Sequence, residues 1–381
     1  MIWIGLVLAC GAGCSDFLDV QPKDKQSEKQ LFSTRGGFYM AVNGIYNKVA
    51  STALYGKNLS YELVDVISKR YQPLSVNTYL TALSTFAYTD NSVETELSNT
   101  WTAAYNTILN CNVVLENIDK SEGVLSTVES RVLKGEMLAV RAFLHFDMLR
   151  LFGPVYKLQP QAESIPYNES SKVVALPLLP ADSVIHEKIL RDLDEAEGLL
   201  SDSDPVIAEG PMASLEEDQD VYSRYRQLRM NYYAVQALKA RVYLYAGEPG
   251  KALEMARKLL ADAKVNEHFP AVDPNKLLAN QSNPDRVFST EVLAGIYKKD
   301  RKDIYTGYFD SEQAGNNYLH PRKDFVNTNL FAGETQDYRF QTCGKWLQAW
   351  EKAGTCLSST RESTNRPGIP KPSIFMLFSC H

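Results

Sequence analysis

The 381-residue sequence predicts an all-α protein: a tetratricopeptide-like helical repeat scaffold (an α–α superhelix) with long irregular loops and an irregular, incomplete C-terminal region. Three observations predict it. Apolar residues recur at helical spacing from about residue 34 to residue 265. Residues 230–263 read as helix, tight turn, helix, and two long stretches that lack the helical period interrupt the periodic part.

The chain opens on IWIGLVLAC, residues 2–10, an apolar run of signal-peptide length that is too short to span a bilayer as a helix. The small residues Gly11, Ala12 and Gly13 precede Cys14, the pattern a lipoprotein signal peptidase accepts before the thiol that carries lipid. Residues 1–13 are thus expected to be a lipoprotein signal peptide, Cys14 the lipidation site, and 14–33 a lipidated tether with the polar linker SDFLDVQPKDKQSEKQ.

The helical region is expected over 34–265. Phe38, Val42, Ile45 and Val49 form one stripe, and Leu97, Trp101, Ala104, Ile108, Leu115 and Ile118 a second. Ser126 and Glu129 make an S-x-x-E capping box ahead of Leu133, Met137, Val140, Leu144, Met148 and Leu151, and Gly153-Pro154 stops that helix. Ile185, Ile189, Leu193, Ala196 and Leu200 mark another amphipathic helix. In the 230–263 pair the turn is Gly247-Glu248-Pro249-Gly250, and Ala234, Ala237, Ala240, Ala252 and Ala256 allow close approach. Trp101, Tyr105, Phe143, Phe146 and Phe152 fall at core spacing, and Arg141 and Arg150 are expected in ion pairs with acidic neighbours.

Two excursions break the pattern: 52–96, rich in Tyr, Thr, Ser and Asn, and the proline-rich 154–180. Long ordered loops on a rigid scaffold are common places for binding residues. Beyond 265 the period fades, and 266–381 is expected to be an irregular ligand-face region, probed by no clear helix or strand signal and ending as a truncated or frame-shifted tail.

Composition narrows the function classes. A net charge of −6 from 40 basic and 46 acidic residues, with no Lys/Arg run, excludes a phosphate-tracking surface, so no nucleic-acid partner is expected. The six cysteines form no CxxC pair and no zinc spacing with His145, His186, His268, His320 or His381, so neither metal nor cofactor is expected. His186-Glu187 lacks the second histidine of H-E-x-x-H, and neither a G-x-S-x-G elbow nor a glycine-rich phosphate loop occurs. The 21 tyrosines, against 15 phenylalanines and 4 tryptophans, suit wet, partly apolar surfaces.

Several separated motifs resemble the SusD/RagB family of outer-membrane nutrient-binding lipoproteins. CSDFLDVQP (14–22) is similar to its lipidated start, and WTAAYNTILNCNVVLENID (101–119) to its W-x-x-x-Y-x-x-I helix. GEMLAVRAFLHFDMLRLFGPV (135–155) resembles its A-x-x-R-A-F signature, and ALPLLPADSVIHEKILRDLDEAEGLL with the 230–263 pair follows in the family's order. The resemblance implies a non-catalytic, surface-exposed, lipid-anchored outer-membrane protein. Such a protein captures glycans, or peptides in some members, for a SusC-like TonB-dependent transporter. It implies repeats that pack on the transporter, irregular regions that form the ligand face, and a chain that ordinarily continues past this length.

Glycan capture needs flat aromatic faces beside groups that bond hydroxyls. The first excursion offers Asp65, Arg70, Tyr71, Tyr79, Tyr88, Asp90 and Asn91, and the later segment Tyr297, Tyr305, Tyr308, Asn316, Asn317 and Tyr318. A glycoside hydrolase would need a carboxylate pair that no spacing singles out, and a pure protein-docking repeat would not need two Tyr/Asn-rich excursions.

Overall fold

The computed structural model describes residues 23–74, 76–211, 222, 224–273, 275, 288–310, 312–321 and 375–379. Cys14 and the expected signal peptide lie outside them, as does most of the tail. The helices are α1 (Lys23–Leu31), α2 (Arg35–Val49), α3 (Leu63–Ile67), α4 (Thr78–Ser84), α5 (Asn91–Ile118) and α6 (Thr127–Phe152). After these come α7 (Ala181–Ser183), α8 (Leu190–Leu200), α9 (Pro205–Glu209), α10 (Tyr232–Tyr245), α11 (Pro249–Ala261) and α12 (Ala263–His268). The strands β1 (Tyr71–Pro73), β2 (Glu163–Ile165), β3 (Leu179–Pro180), β4 (Val292–Ile296), β5 (Leu319–Pro321) and β6 (Phe375–Ser379) form three two-stranded antiparallel ribbons, β1–β5, β2–β3 and β4–β6.

The scaffold is a row of packed neighbours, α2 on α5, α5 on α6, α6 on α8, α8 on α10 and α10 on α11, the all-α repeat architecture that the periodicity predicts. Capping side chains start the elements: Thr34, Asn77, Asp90, Ser126, Asp204, Asn231 and Asp262 each accept a backbone N–H of the following turn. At α6 both halves of the Ser126/Glu129 capping box form, and Gly153 ends the helix. One difference from the sequence reading lies at the start, where α1 occupies the second half of the segment expected to be linker. A second lies in 181–200, where a π-helical turn, Val184–Ile189, interrupts the amphipathic run.

Helix α6 is the axis of the core, apolar on nearly every side and buried from Val132 to Leu149. Phe143 and Phe146 are buried, while Trp101, Tyr105 and Phe152 pack against the same core from its edge. Each fully buried side chain of this size contributes about 1.5–3 kcal/mol. Gly135 lets α6 meet α8 closely, since a Cβ there would lie 2.7 Å from Leu200 Cγ.

Charged groups inside this core are paired. Arg141 Nε and Nη2 donate to Asp192 Oδ2 and Oδ1 at 2.7 and 2.9 Å, and buried Asp147 lies 3.3 Å from the exposed Arg150. Arg226, fully buried, donates from Nε and Nη2 to the two oxygens of Asp204, each at 2.9 Å, and from Nη1 to Glu136. Burial lowers the pKa of Arg226, but Asp204 and Glu136 outweigh it and hold the guanidinium charged. The carboxylates that abound in the sequence therefore hold the fold together at these positions.

The excursion 154–180 is bound to the scaffold at the C-terminal half of α5. Asn112 Nδ2 donates to the carbonyls of Asn168 and Ser170, each at 3.0 Å, and Tyr105 Oη to that of Pro166 at 2.8 Å. His145 Nε2 accepts from Asn168 N at 3.0 Å while its ring stacks on Tyr167 at 3.8 Å. Burial holds His145 down to about 3, so it is a neutral structural histidine.

Candidate functional site

The excursion 52–96 folds into α3, β1 and α4 at the other half of α5, around a second, smaller core. Leu63, Val66, Leu80, Leu83 and Val93 are joined there by Leu319, with Tyr71, Tyr79, Ile304, Tyr308 and Phe309 packed against them. Two regions far apart in sequence thus form one unit. Antiparallel pairing of β1 with β5 sets Gln72 opposite His320, and Asn77 Nδ2 donates to Asn317 Oδ1 at 2.9 Å.

Alternation along β5 decides which side chains face outward. Leu319 is buried in the small core and alternation turns His320 to the other face, where it and Tyr318, the residue before β5, are half-buried with their rings stacked at 5.9 Å. Gln72, across from His320, is exposed on that same face. The two stacked, half-buried rings and the exposed Gln72 amide make a strip with groups suited to stack a flat apolar face and bond the polar groups around its rim.

The sequence-predicted residues divide into those that pack and those that project. Tyr71, Tyr79 and Tyr308 are half-buried. Tyr71 meets Phe309 at 5.4 Å, Tyr308 meets Tyr61 at 5.0 Å, and Tyr79 Oη donates to Glu62 at 3.3 Å. Burial pushes the Tyr71 hydroxyl up to about 12 and raises those of Tyr79 and Tyr308, with Glu62 adding to the latter two. Tyr305 sits half-buried in the π-helical turn Tyr305–Phe309. Asp90 caps α5, accepting Ser92 N at 2.9 Å, and Asn91 is its exposed first residue. Tyr297 projects at the end of β4, with Arg301 5.6 Å from its ring.

Asp65 and Arg70 form an ion pair at 3.3 Å, with Asp65 largely covered and Arg70 exposed. Burial raises the Asp65 carboxyl to about 6 in spite of Arg70. Asn316 is exposed and adjoins Asn317 in the turn before β5. Tyr88 is exposed beside Phe86, their rings 6.2 Å apart. Phe86 (φ 61°) and Lys69 (φ 62°) both adopt left-handed backbone, at a cost of about 1–3 kcal/mol each, and Lys69 Nζ lies 4.3 Å from the Phe86 ring centre.

Gln72, Asn77, His320, Phe86 and Lys69 escaped the sequence reading. The alternation Tyr318-Leu319-His320 was the available signal for His320, but three residues are too few to declare a strand. Two clefts lie on the helical scaffold. One of about 500 Å3 lies between α1, α2 and α5, lined by Leu31, Phe32, Ile45 and Val113, and one of about 360 Å3 is lined by Lys57, Glu96, Asn99 and Asn106. Among the described residues no group of His, Cys, Asp or Glu is placed to hold a metal ion, and no helix is long and apolar enough to cross a membrane.

Comparison with known proteins agrees with this architecture. A SusD-like protein of Formosa agariphila is 23% identical over 158 residues, which cover 40% of this chain and 30% of that protein. A SusD superfamily protein of Bacteroides thetaiotaomicron superimposes with a TM-score of 0.58 at 20% identity, over 77% of this chain and 61% of the other. A SusD-like carbohydrate binding protein of Bacteroides vulgatus gives a TM-score of 0.53 at 22% identity, over 70% of this chain and 51% of the other. The chain thus spans less than two thirds of the length of each relative. Residues 16–209, about half of the chain, match the model of the family SusD-like_3, described as "Starch-binding associating with outer membrane". By that match, which takes in α1 to α9, the chain belongs to the SusD-like family.

Proposed function

We propose that the protein captures glycans at the outward face of the β1–β5 ribbon and catalyses no reaction on them. The observation that carries this reading is the stacked Tyr318–His320 pair, set beside Gln72 and the Asn77–Asn317 bond by the pairing of two remote segments. Sugar rings carry apolar C–H faces and hydroxyl rims, and this strip offers rings for the first and amides for the second. The family's association with starch binding and the outer membrane supports the same reading.

On this reading Cys14 carries the lipid that holds the protein at the surface of the outer membrane, and a SusC-like TonB-dependent transporter receives the glycan. The scaffold helices face that transporter while the ribbon faces the ligand.

The test is isothermal titration of the purified protein with neutral and acidic oligosaccharides and with peptides, for the native chain and for Tyr318→Ala and His320→Ala. Binding to at least one glycan is expected, weakened roughly twofold to tenfold in each variant, as loss of one aromatic contact of about 0.5–1.5 kcal/mol requires. Peptide binding without glycan binding would replace the ligand class, and release of new reducing ends would replace capture by hydrolysis. Acyl labelling of Cys14→Ala in cells tests the anchor, and continued labelling would assign the lipid to another site.

A further inference from the structure

The corner formed by Lys69, Arg70, Phe86 and Tyr88 belongs to the same small lobe but lies apart from the strip described above. Phe86 and Tyr88 are among the exposed large side chains of the protein, 47% and 50% exposed. Their rings stand 6.2 Å apart at 47°, an open angle and not a packed contact. An aromatic side chain left in water gains nothing from burial, and here the backbone is also held left-handed at Phe86 and at Lys69. The two strained residues meet through the Lys69 ammonium over the Phe86 ring, and Lys69 Nζ also donates to the Ser84 carbonyl. The ring and the cation are thereby held in one fixed arrangement.

The charges around this corner are unequal in their exposure. Lys69 and Arg70 are consecutive and exposed, with Arg70 68% open. Of the neighbouring carboxylates, Asp65 is 15% open and paired with Arg70, and Asp90 is exposed but accepts both the amide and the hydroxyl of Ser92 at the start of α5. An arriving ligand meets the two exposed rings with the Lys69 ammonium against Phe86, and Arg70 is the next residue along the chain. A guanidinium with donors to spare suits a planar or tetrahedral oxyanion, and a neutral sugar would leave both cations unused.

We propose that this corner is a subsite for an acidic saccharide residue, one carrying a carboxylate or a sulfate, stacked on Phe86 and Tyr88 and held by Lys69 and Arg70. This deepens the glycan reading and rests on it, but it concerns residues separate from Tyr318 and His320.

The probes are matched pairs: oligogalacturonate against its methyl ester, and dextran sulfate oligomers against dextran, titrated into the purified protein at low and at moderate salt. The acidic member of one pair is expected to bind about tenfold more tightly, and the preference to shrink as salt rises. The pair showing it identifies carboxylate or sulfate. Lys69→Asn, a residue that tolerates left-handed backbone, and Phe86→Ala are each expected to remove the preference while thermal unfolding stays within a few degrees. Equal affinity within both pairs overturns the proposal, as does a preference that survives in Lys69→Asn. Binding of neutral and charged members alike leaves the glycan reading standing and sinks this one, whereas absence of binding to every glycan in both panels sinks both.

Discussion

Asn77 and Asn317, 240 positions apart, meet through a 2.9 Å hydrogen bond at the end of the β1–β5 ribbon. The bond joins the turn before α4 to the turn before β5, where one segment from each of the two predicted ligand regions comes together. It is exposed, so its energetic weight is modest, about 0.5–1.5 kcal/mol.

Asn317→Ala should therefore leave unfolding almost unchanged and loosen the ribbon. A loss of glycan affinity of about twofold to tenfold, read by titration calorimetry, is the expected outcome. Full affinity in the variant would show that the ribbon face does not take part in binding.

Arg226→Met removes the guanidinium from between Asp204 and Glu136 and leaves two buried carboxylates without it. Breaking a buried pair in this way costs about 3–5 kcal/mol, seen as a lower midpoint in chemical denaturation. A loss below 1 kcal/mol, on the same scale, would mean that water reaches the pair in solution.

His145 should remain neutral throughout the mildly acidic range. Its pKa in the fold is lowered to about 3, below the value of an unfolded histidine, so its contribution to stability is present above about pH 6.5 and lost as pH falls toward 3. NMR titration of the ring checks the value directly. A midpoint near 6 would refute the buried hydrogen bond from Asn168 N.

Asp65 titrates with the opposite sign. Its pKa is raised to about 6, so the fold favours the protonated form, and that contribution is present below about pH 4 and lost as pH rises through 6. Asp65→Asn should flatten the stability profile over this window and raise stability at pH 7, by at most about 3 kcal/mol. An unchanged pH profile would place the carboxylate in water.

Much of the scaffold was legible in the sequence because its signals are local. The Ser126/Glu129 box, the Gly153 stop and the Gly247 turn each act within three or four residues, and the stripe of α2 through Phe38, Val42, Ile45 and Val49 is buried as its spacing implies. Arg141 could be expected to pair, since a cation on a helix so apolar needs a counter-charge, although Asp192 could not be named.

The candidate site was legible only as a list of residue types. Tyr71, Tyr79, Tyr88, Tyr308 and Tyr318 look alike in sequence because tyrosine suits both a core and a wet surface. Packing around Leu319 decides that Tyr71, Tyr79 and Tyr308 join the small core, while Tyr318 is half-buried against His320 and Tyr88 is exposed. Strands of three residues carry no readable period, and nothing near Gln72 announces a partner at His320. The sequence by itself determined the helices, their caps and the family pattern, because these follow from contacts a few residues apart. Which rings and amides form a surface was decided only by tertiary pairing, because that depends on closing a loop of some 240 residues.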